Sequence, residues 1–302
     1  MKTRHNWPTS ESQAQVRAGP LRAGLGALLR AAPQPTPRME KTLWRIVYEV
    51  AARARDDVTT LMNYGYAPPE GFDEDLASRE DRFGLQLYAV VAGAVDLAGK
   101  DVLEVGCGQG GGSAFVFERF RPRSLTGLDV AKTAVQRCRN RYAGPGLEFV
   151  VGDAEDLPFG DATFDAVLNV ESSHCYPDVP QFLREVRRVL RRGGLLLLAD
   201  LREASPTSAS DEASAPQENI RLLSQQLEDA GFQTLEREDI SEDVVRALQL
   251  DTPARRARIG RRAPKRLRAN ALEFAAVEGT PIYNALADGR WTYQRFVLQQ
   301  RD

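Results

Sequence analysis

Residues 100–114 read K-D-V-L-E-V-G-C-G-Q-G-G-G-S-A, an apolar strand that passes through glycines into a helix. Val102, Leu103 and Val105 form the short branched and aliphatic run of a strand buried in a parallel sheet. Gly106, Gly108 and Gly110 permit positive φ and close approach of the main chain to a ligand, because no Cβ stands between them. The following helix directs its unpaired N–H groups back at the loop, a seat for an anionic group. The stretch therefore reads as a nucleotide-cofactor loop.

The loop alone leaves the cofactor open. Gly106, Gly108 and Gly111 fit the dinucleotide spacing G-x-G-x-x-G, while Gly106, Gly108 and Gly110 fit the G-x-G-x-G of S-adenosylmethionine sites. Both want an acid at the end of the second strand to hold ribose hydroxyls, and Asp129 in S-L-T-G-L-D-V serves either. A tight turn with no ligand is the third reading.

A chain of 302 residues holds one domain with appendages or two small domains. The net charge of −2 provides no field for a polyanion, so nucleic acid is not an expected partner. Cys107, Cys138 and Cys175 lie far apart in sequence with no C-x-x-C pair, which implies a reduced compartment, no disulfide framework and no metal site. No apolar run approaches the roughly 18 to 20 residues of a bilayer span. A soluble, cytoplasmic protein is expected.

Residues 1–38 are rich in Ala, Pro, Gly and Arg, with Glu11 the only acid, and are expected to be a disordered tail. Residues 39–98 are expected to form an N-terminal helical cap. Leu43, Trp44, Val47, Val50, Ala51 and Ala54 recur at helical spacing within 40–62, and Phe83, Leu87, Val90, Val91 and Ala94 do so within 78–97, which Gly99 closes. Between them Asn63-Tyr64-Gly65-Tyr66-Ala67-Pro68-Pro69 breaks the helix and is expected to face the ligand.

Residues 99–240 alternate strand and helix. Strands are expected at 125–129, 147–151, 164–170, 195–200 and 232–240, and helices at 131–142 and 218–230. A further helix to residue 192 opens on a capping box of Asp178 and Gln181 and stops at Gly193-Gly194. Residues 201–216 read as a flexible loop, 241–289 as a helical insert acting as a lid, and 290–302 as the final strand of the core. The alternation predicts a doubly wound α/β fold with ligands at the carboxyl ends of the strands.

Three features choose the cofactor. Glu104, two residues before Gly106, is placed to accept from the ammonium of a methionine tail, a cation that a hydride cofactor lacks. Gly152-Asp153-Ala154-Glu155-Asp156-Leu157-Pro158-Phe159 turns after the third strand and sets Asp153 near an adenine amine. No second nucleotide-binding half follows.

With these residues the sequence resembles the class I S-adenosylmethionine-dependent methyltransferases. It is most similar to the phthiotriol/phenolphthiotriol dimycocerosate methyltransferase family, which methylates a hydroxyl on a long polyketide-derived lipid. The resemblance is carried by residues 105–112, by 152–159 and above all by Leu168-Asn169-Val170-Glu171-Ser172-Ser173-His174-Cys175-Tyr176-Pro177, with Glu278-Gly279-Thr280 and Tyr293 near the end. It implies a Rossmann-like seven-stranded sheet with the last strand antiparallel. It also implies cofactor contacts at Glu104, Gly106, Gly108, Asp129, Asp153 and Asn169, flanked by Cys107, Val130 and Ala154.

His174 is the candidate catalyst. It is one of two histidines, the other being His5 in the tail, and it follows the fourth strand where a substrate would meet the cofactor. A neutral imidazole suits removal of a proton from an alcohol. Glu171 is expected to orient its ring or to accept backbone donors in the turn, and Tyr64, with Tyr66, to cover the sulfonium or to pack against the cap. Cys175 is expected to pack. Arg255, Arg256, Arg258, Arg261, Arg262, Lys265, Arg266 and Arg268 form a solvated basic face, or a docking patch for an acyl carrier or an anionic surface.

The expected activity is O-methylation of a hydroxyl on a polyketide or lipid-like small molecule in secondary metabolism. Carboxyl, amine or carbon methylation is the nearest rival, followed by a cyclase or binding protein of the same fold and by an NAD-dependent oxidoreductase. Charge-assisted bonds from Asp129 to the ribose predict that Asp129→Ala weakens S-adenosylmethionine binding at least about tenfold in calorimetry. Unchanged affinity would remove that residue from the site.

Overall fold

The computed structural model describes residue 49 and residues 60–71, 74–204 and 219–301. The tail expected over 1–38, nearly all of the helix expected over 40–62 and most of the loop expected over 201–216 lie outside the described residues. Glu49 is helical, but Thr60, Leu61 and Met62 are not, so the first helix ends before the expected boundary.

Helices α1 (Glu74–Ala77) and α2 (Arg82–Ala92) precede β1 (Asp101–Val105), α3 (Gly111–Phe120), β2 (Ser124–Asp129), α4 (Lys132–Tyr142), β3 (Leu147–Val151) and β4 (Phe164–Val170). Then come α5 (Val179–Val189), β5 (Leu190–Glu203), α6 (Ile220–Asp229) and β6 (Phe232–Asp239). Helices α7 (Ser241–Arg262), α8 (Arg268–Phe274) and α9 (Pro281–Ala287) lead into β7 (Trp291–Gln300). The strands form one seven-stranded sheet in the order β3-β2-β1-β4-β5-β7-β6. Strands β1 to β5 pair in parallel, and β7 runs antiparallel to both β5 and β6. This is the doubly wound sheet that the alternation predicted, with the reversed last strand that the resemblance implied.

The winding decides where a ligand can enter. From β1 the chain builds β2 and β3 to one side, then returns to start β4 on the other. The carboxyl ends of β1 and β4 therefore part and open a crevice. Glu104 lies opposite Leu168 in that pairing, which brings Gly106 level with the residues that leave β4.

Alternation along each strand divides the core into two layers. Val102, Leu197 and Tyr293 pack with Leu87 of α2, Val116 of α3, Val135 of α4 and Val244 of α7. Leu103, Val105, Leu198 and Phe296 pack on the opposite face with Phe182 and Val186 of α5 and Leu223 of α6. Full burial of each such side chain contributes about 1.5–3 kcal/mol.

Several elements differ from expectation. The helix expected over 78–97 is only Arg82–Ala92, with Gly93, which makes the last helical bond to Ala89 O, as its C-cap, while Gly99, at φ +71°, turns the chain into β1. Helix α2 packs its buried residues into the core. Helix α5 starts as expected on Asp178, whose side chain accepts from Gln181 N, but ends at Val189. There β5 begins, running through Gly193-Gly194 with a register shift between Phe164 and Ala166 of its partner. Residues 201–203, expected in a loop, belong to β5 and pair with Tyr293, Thr292 and Trp291. No helix among the described residues is long and apolar enough to cross a membrane.

Candidate active site

The glycine loop is tied to the end of β2. Gly106 N and Cys107 N both donate to Leu128 O, at 2.8 and 2.9 Å, and Gly108 N donates to Asp129 Oδ2 at 2.9 Å. Asp129 Oδ1 accepts from Ala131 N at 2.9 Å, so its half-buried carboxylate is aimed before any ligand arrives. Each carboxylate oxygen has capacity for about two bonds, which suits a pair of ribose hydroxyls. Gly106 has φ +80°, and a Cβ there would stand 1.9 Å from Ser172 Oγ, so only glycine lets the β4 exit lie against the loop. At Gly108, φ +54°, the nearest atom to a Cβ would be Met62 Sδ at 3.2 Å.

The expected anion seat at the start of α3 is taken by the protein itself, because Gly111 N donates to Thr60 O at 3.2 Å. A pyrophosphate would have to displace that carbonyl, which disfavours a dinucleotide. S-adenosylmethionine carries no phosphate and needs no such seat.

Glu104 does not reach the crevice. Its carboxylate has no exposed surface, and it accepts from the Tyr88 hydroxyl at 2.6 Å and from the Ser113 hydroxyl. Burial raises its pKa, opposed by those two donors. These bonds tie β1 to α2 and α3. Asn169 is also fully buried; its Nδ2 donates to Val105 O at 2.9 Å and to Tyr176 Oη at 3.0 Å. Its Oδ1 has no hydrogen-bond partner, and an orphaned acceptor of this kind costs about 1–3 kcal/mol unless a donor arrives.

On the adenine side Asp153 Oδ1 accepts from Glu155 N at 2.9 Å, which shapes the turn after β3. Val130 is half-buried, and Ala154 packs inward with Leu128 and Leu157. Cys107 is 5% exposed, and its thiol lies against Cys138, a contact that with burial raises its pKa. Only the Cys107 main chain belongs to the loop. The two cysteines distant in sequence thus meet in space as free thiols.

His174 stands in a 3-10 turn, Ser173–Cys175, just beyond β4. Its Nδ1 lies 2.6 Å from Asp200 Oδ1 at the far end of the apolar run of β5. Asp200 is fully buried and also accepts from Ser173 Oγ at 2.6 Å, His174 N at 2.9 Å and Leu201 N at 2.8 Å. Arg202 Nη1 lies 3.1 Å from Asp200 Oδ2, and both side chains are almost wholly buried. Burial opposes charge on both partners of the histidine pair. Attraction wins: Asp200 is held well below the usual carboxylate range by His174 and Arg202, and His174 stands well above its usual value through Cys175 first and Asp200 next. The ring's Nε2 faces away from Asp200, and the side chain keeps 18% exposure.

Glu171 does not orient the ring, because Asp200 already does. Glu171 is a non-glycine residue at φ +48°, a conformation that persists only where surrounding structure enforces it. Its Oε1 accepts from Tyr64 N at 2.7 Å, and burial pushes its carboxyl up to about 7, against that donor and His174. The Tyr293 hydroxyl beside it is fully buried, and burial and then the Glu171 charge raise its pKa. Tyr64 is held by its main chain, between Glu171 and Arg255 Nη2, which donates to Tyr64 O at 3.0 Å. Tyr66 turns toward α7, where burial and Asp243 push its phenol up to about 12.

The fold thus gathers the glycine loop, Asp129, Asn169, Glu171 and His174 at one sheet edge. It adds Asp200, Arg202, Ser173 and Tyr176, which the sequence reading missed. Asp200 carried the same signal as Asp129, an acid closing an apolar strand in L-L-L-L-A-D.

A family model described as a methyltransferase domain matches residues 103–198. Over 247 residues, 81% of this chain and 91% of the relative, the chain is 38% identical to a probable phthiotriol/phenolphthiotriol dimycocerosates methyltransferase 2 of Mycobacterium ulcerans. It is 43% identical over 227 residues, 74% of this chain and 78% of the relative, to a fatty-acid O-methyltransferase of Mycolicibacterium smegmatis. The fold is similar, with TM-score 0.64 and 17% identity over 88% of this chain and all of the other, to geranyl diphosphate C-methyltransferase from Streptomyces coelicolor A3(2) in complex with Mg2+, geranyl diphosphate and S-adenosyl-L-homocysteine.

The His174–Asp200 pair predicts a titration. With only two histidines in the chain, imidazole NMR resolves them, and His5→Gln assigns the remaining signal. His174 should titrate well above about 6.5 and move back toward it in Asp200→Asn. A His174 signal that titrates normally in the parent protein would contradict the pair.

Proposed function

This chain belongs to the S-adenosylmethionine-dependent methyltransferases, in the family of the phthiotriol/phenolphthiotriol dimycocerosates methyltransferases, and from that premise we propose that it methylates the hydroxyl oxygen of a lipid-like small molecule with His174 as the base. It is an enzyme, and S-adenosylmethionine is its cofactor. The observation that carries the reading is the 2.6 Å pair of His174 and Asp200 beside the glycine loop.

Gly106 and Gly108 would hold the cofactor at the loop, Asp129 its ribose, Asp153 its adenine side and Asn169 Oδ1 its ammonium. When bound, S-adenosylmethionine supplies a methyl group activated by its positive sulfur. His174 Nε2 would accept the proton of the acceptor hydroxyl and so ready its oxygen for the methyl group that S-adenosylmethionine would supply, with S-adenosylhomocysteine as the leaving product. Asp200 fixes the tautomer and orientation of the ring and stabilises the imidazolium that forms. Glu171, by holding Tyr64 N, keeps the aromatic loop closed over this edge and excludes water. The names of the relatives, a lipid triol or phenol methyltransferase and a fatty-acid methyltransferase, support a long apolar acceptor.

A second reading follows from the same pair. Because Cys175 and Asp200 hold His174 above its usual value, the ring rests as an imidazolium near neutrality, and an imidazolium binds a carboxylate acceptor that needs no base. The similarity to a fatty-acid O-methyltransferase favours it.

The two readings have opposite pH dependence. A base must first lose its proton, so kcat/KM for a long-chain alcohol should rise with pH through the elevated value of His174, above about 6.5, and the rising limb should shift down in Asp200→Asn. A carboxylate anchor must keep its proton, so activity on a fatty acid should fall through the same window. His174→Gln should lower alcohol methylation by about 10²- to 10⁴-fold. Transfer of labelled methyl to each acceptor measures this, and a flat profile with His174→Gln active would overturn the base.

A further inference from the structure

Helix α7 packs its first half and leaves much of its second half bare. Val244, Ala247 and Leu248 are fully buried, whereas Leu250 is 55% exposed and Pro253, Ala254, Ala257 and Arg261 are exposed. At about 100° per residue these five fall on one side of the helix, an apolar strip ending in a cation. In the turn after the helix Leu267 is 50% exposed, directly following the exposed cations Lys265 and Arg266.

The basic cluster in the sequence is therefore of two kinds. Arg255 is structural: it pairs with Asp251 at 2.8 Å and donates to Ala275 O and Tyr64 O. Arg268 bonds to Ala263 O and Gly260 O. Arg261, Lys265 and Arg266 have no acidic partner among the described residues, and they stand on a chain whose net charge is −2. A general basic field does not explain them.

We propose that the outer face of α7 and the turn at Lys265–Leu267 dock on an anionic lipid bilayer, setting the site's mouth against the membrane that holds its acceptor. This rests on the reading of a lipid acceptor. Exposed cations accompanied by exposed leucines match an anionic bilayer, which takes the charges at its surface and the leucines beneath its headgroups. An acidic protein partner would satisfy the cations without explaining the exposed leucines. The surface is also joined to the reactive edge by bonds already described, since Arg255 holds Tyr64 O and Glu171 holds Tyr64 N.

The test uses the full chain without cofactor or acceptor, sedimented with sucrose-loaded vesicles of phosphatidylcholine alone or mixed with phosphatidylglycerol. Binding should require phosphatidylglycerol and weaken with salt. It should fall at least about tenfold in the triple variant Arg261→Glu, Lys265→Glu, Arg266→Glu, and also fall in Leu250→Asn, Leu267→Asn, both with parental unfolding midpoints. Equal binding to both vesicles, no binding, full binding by the charge variant, or no effect of the leucine variant would overturn the proposal. Capture of a purified acyl carrier protein in place of vesicles would do the same. Methyl transfer by the charge variant to a detergent-dispersed alcohol should stay parental, so a failure of docking is told apart from a failure of the lipid-acceptor reading.

Discussion

A carboxylate removed from water must have its lone pairs satisfied, and Asp200 meets that demand with groups that then have no freedom to move. Ser173 Oγ, His174 N, His174 Nδ1, Leu201 N and Arg202 all converge on it. Stripping one partner from a buried pair of this kind costs about 3–5 kcal/mol. The turn after β4 is consequently fixed to the end of β5, and with it the direction of the His174 ring. Placement of the reacting edge follows from one desolvated charge on a neighbouring strand.

That constraint matters because the β4 exit also forms one wall of the glycine loop. Ser172 Oγ and Tyr176 Oη share a bond of 2.7 Å, Tyr176 accepts from Asn169, and Asn169 reaches Val105 O at the end of β1. A Cβ on Gly106 would strike Ser172. The glycine loop and His174 are thus held together across the switch point, which keeps the two at a fixed separation. Such positioning is a major source of rate in bimolecular transfer.

Much of this was legible in the chain. Glycines at positive φ, an acid closing the second strand and a histidine after the fourth are local signals, and the structure brings Gly106, Gly108, Asp129 and His174 to one edge. What stayed hidden depends on pairing between distant strands. Glu104 looks like a ligand contact until α2 folds back and sets Tyr88 on it, and Glu171 looks like the partner of His174 until β5 brings in Asp200. Arg255 sits within a basic run, and only the packing of α7 against residues 63–64 shows that it is a strut. The end of α5 was misplaced because Gly193-Gly194 reads as a helix stop, whereas Leu190 already pairs with Phe164.

The most direct test of the account is a crystal structure of the complex with S-adenosylhomocysteine and a long-chain alcohol. The account predicts the ribose on Asp129, the amino group at Asn169, and the alcohol oxygen between the sulfur and His174 Nε2. An adenosyl group held away from Asp129, or a sulfur that faces away from His174, would contradict it.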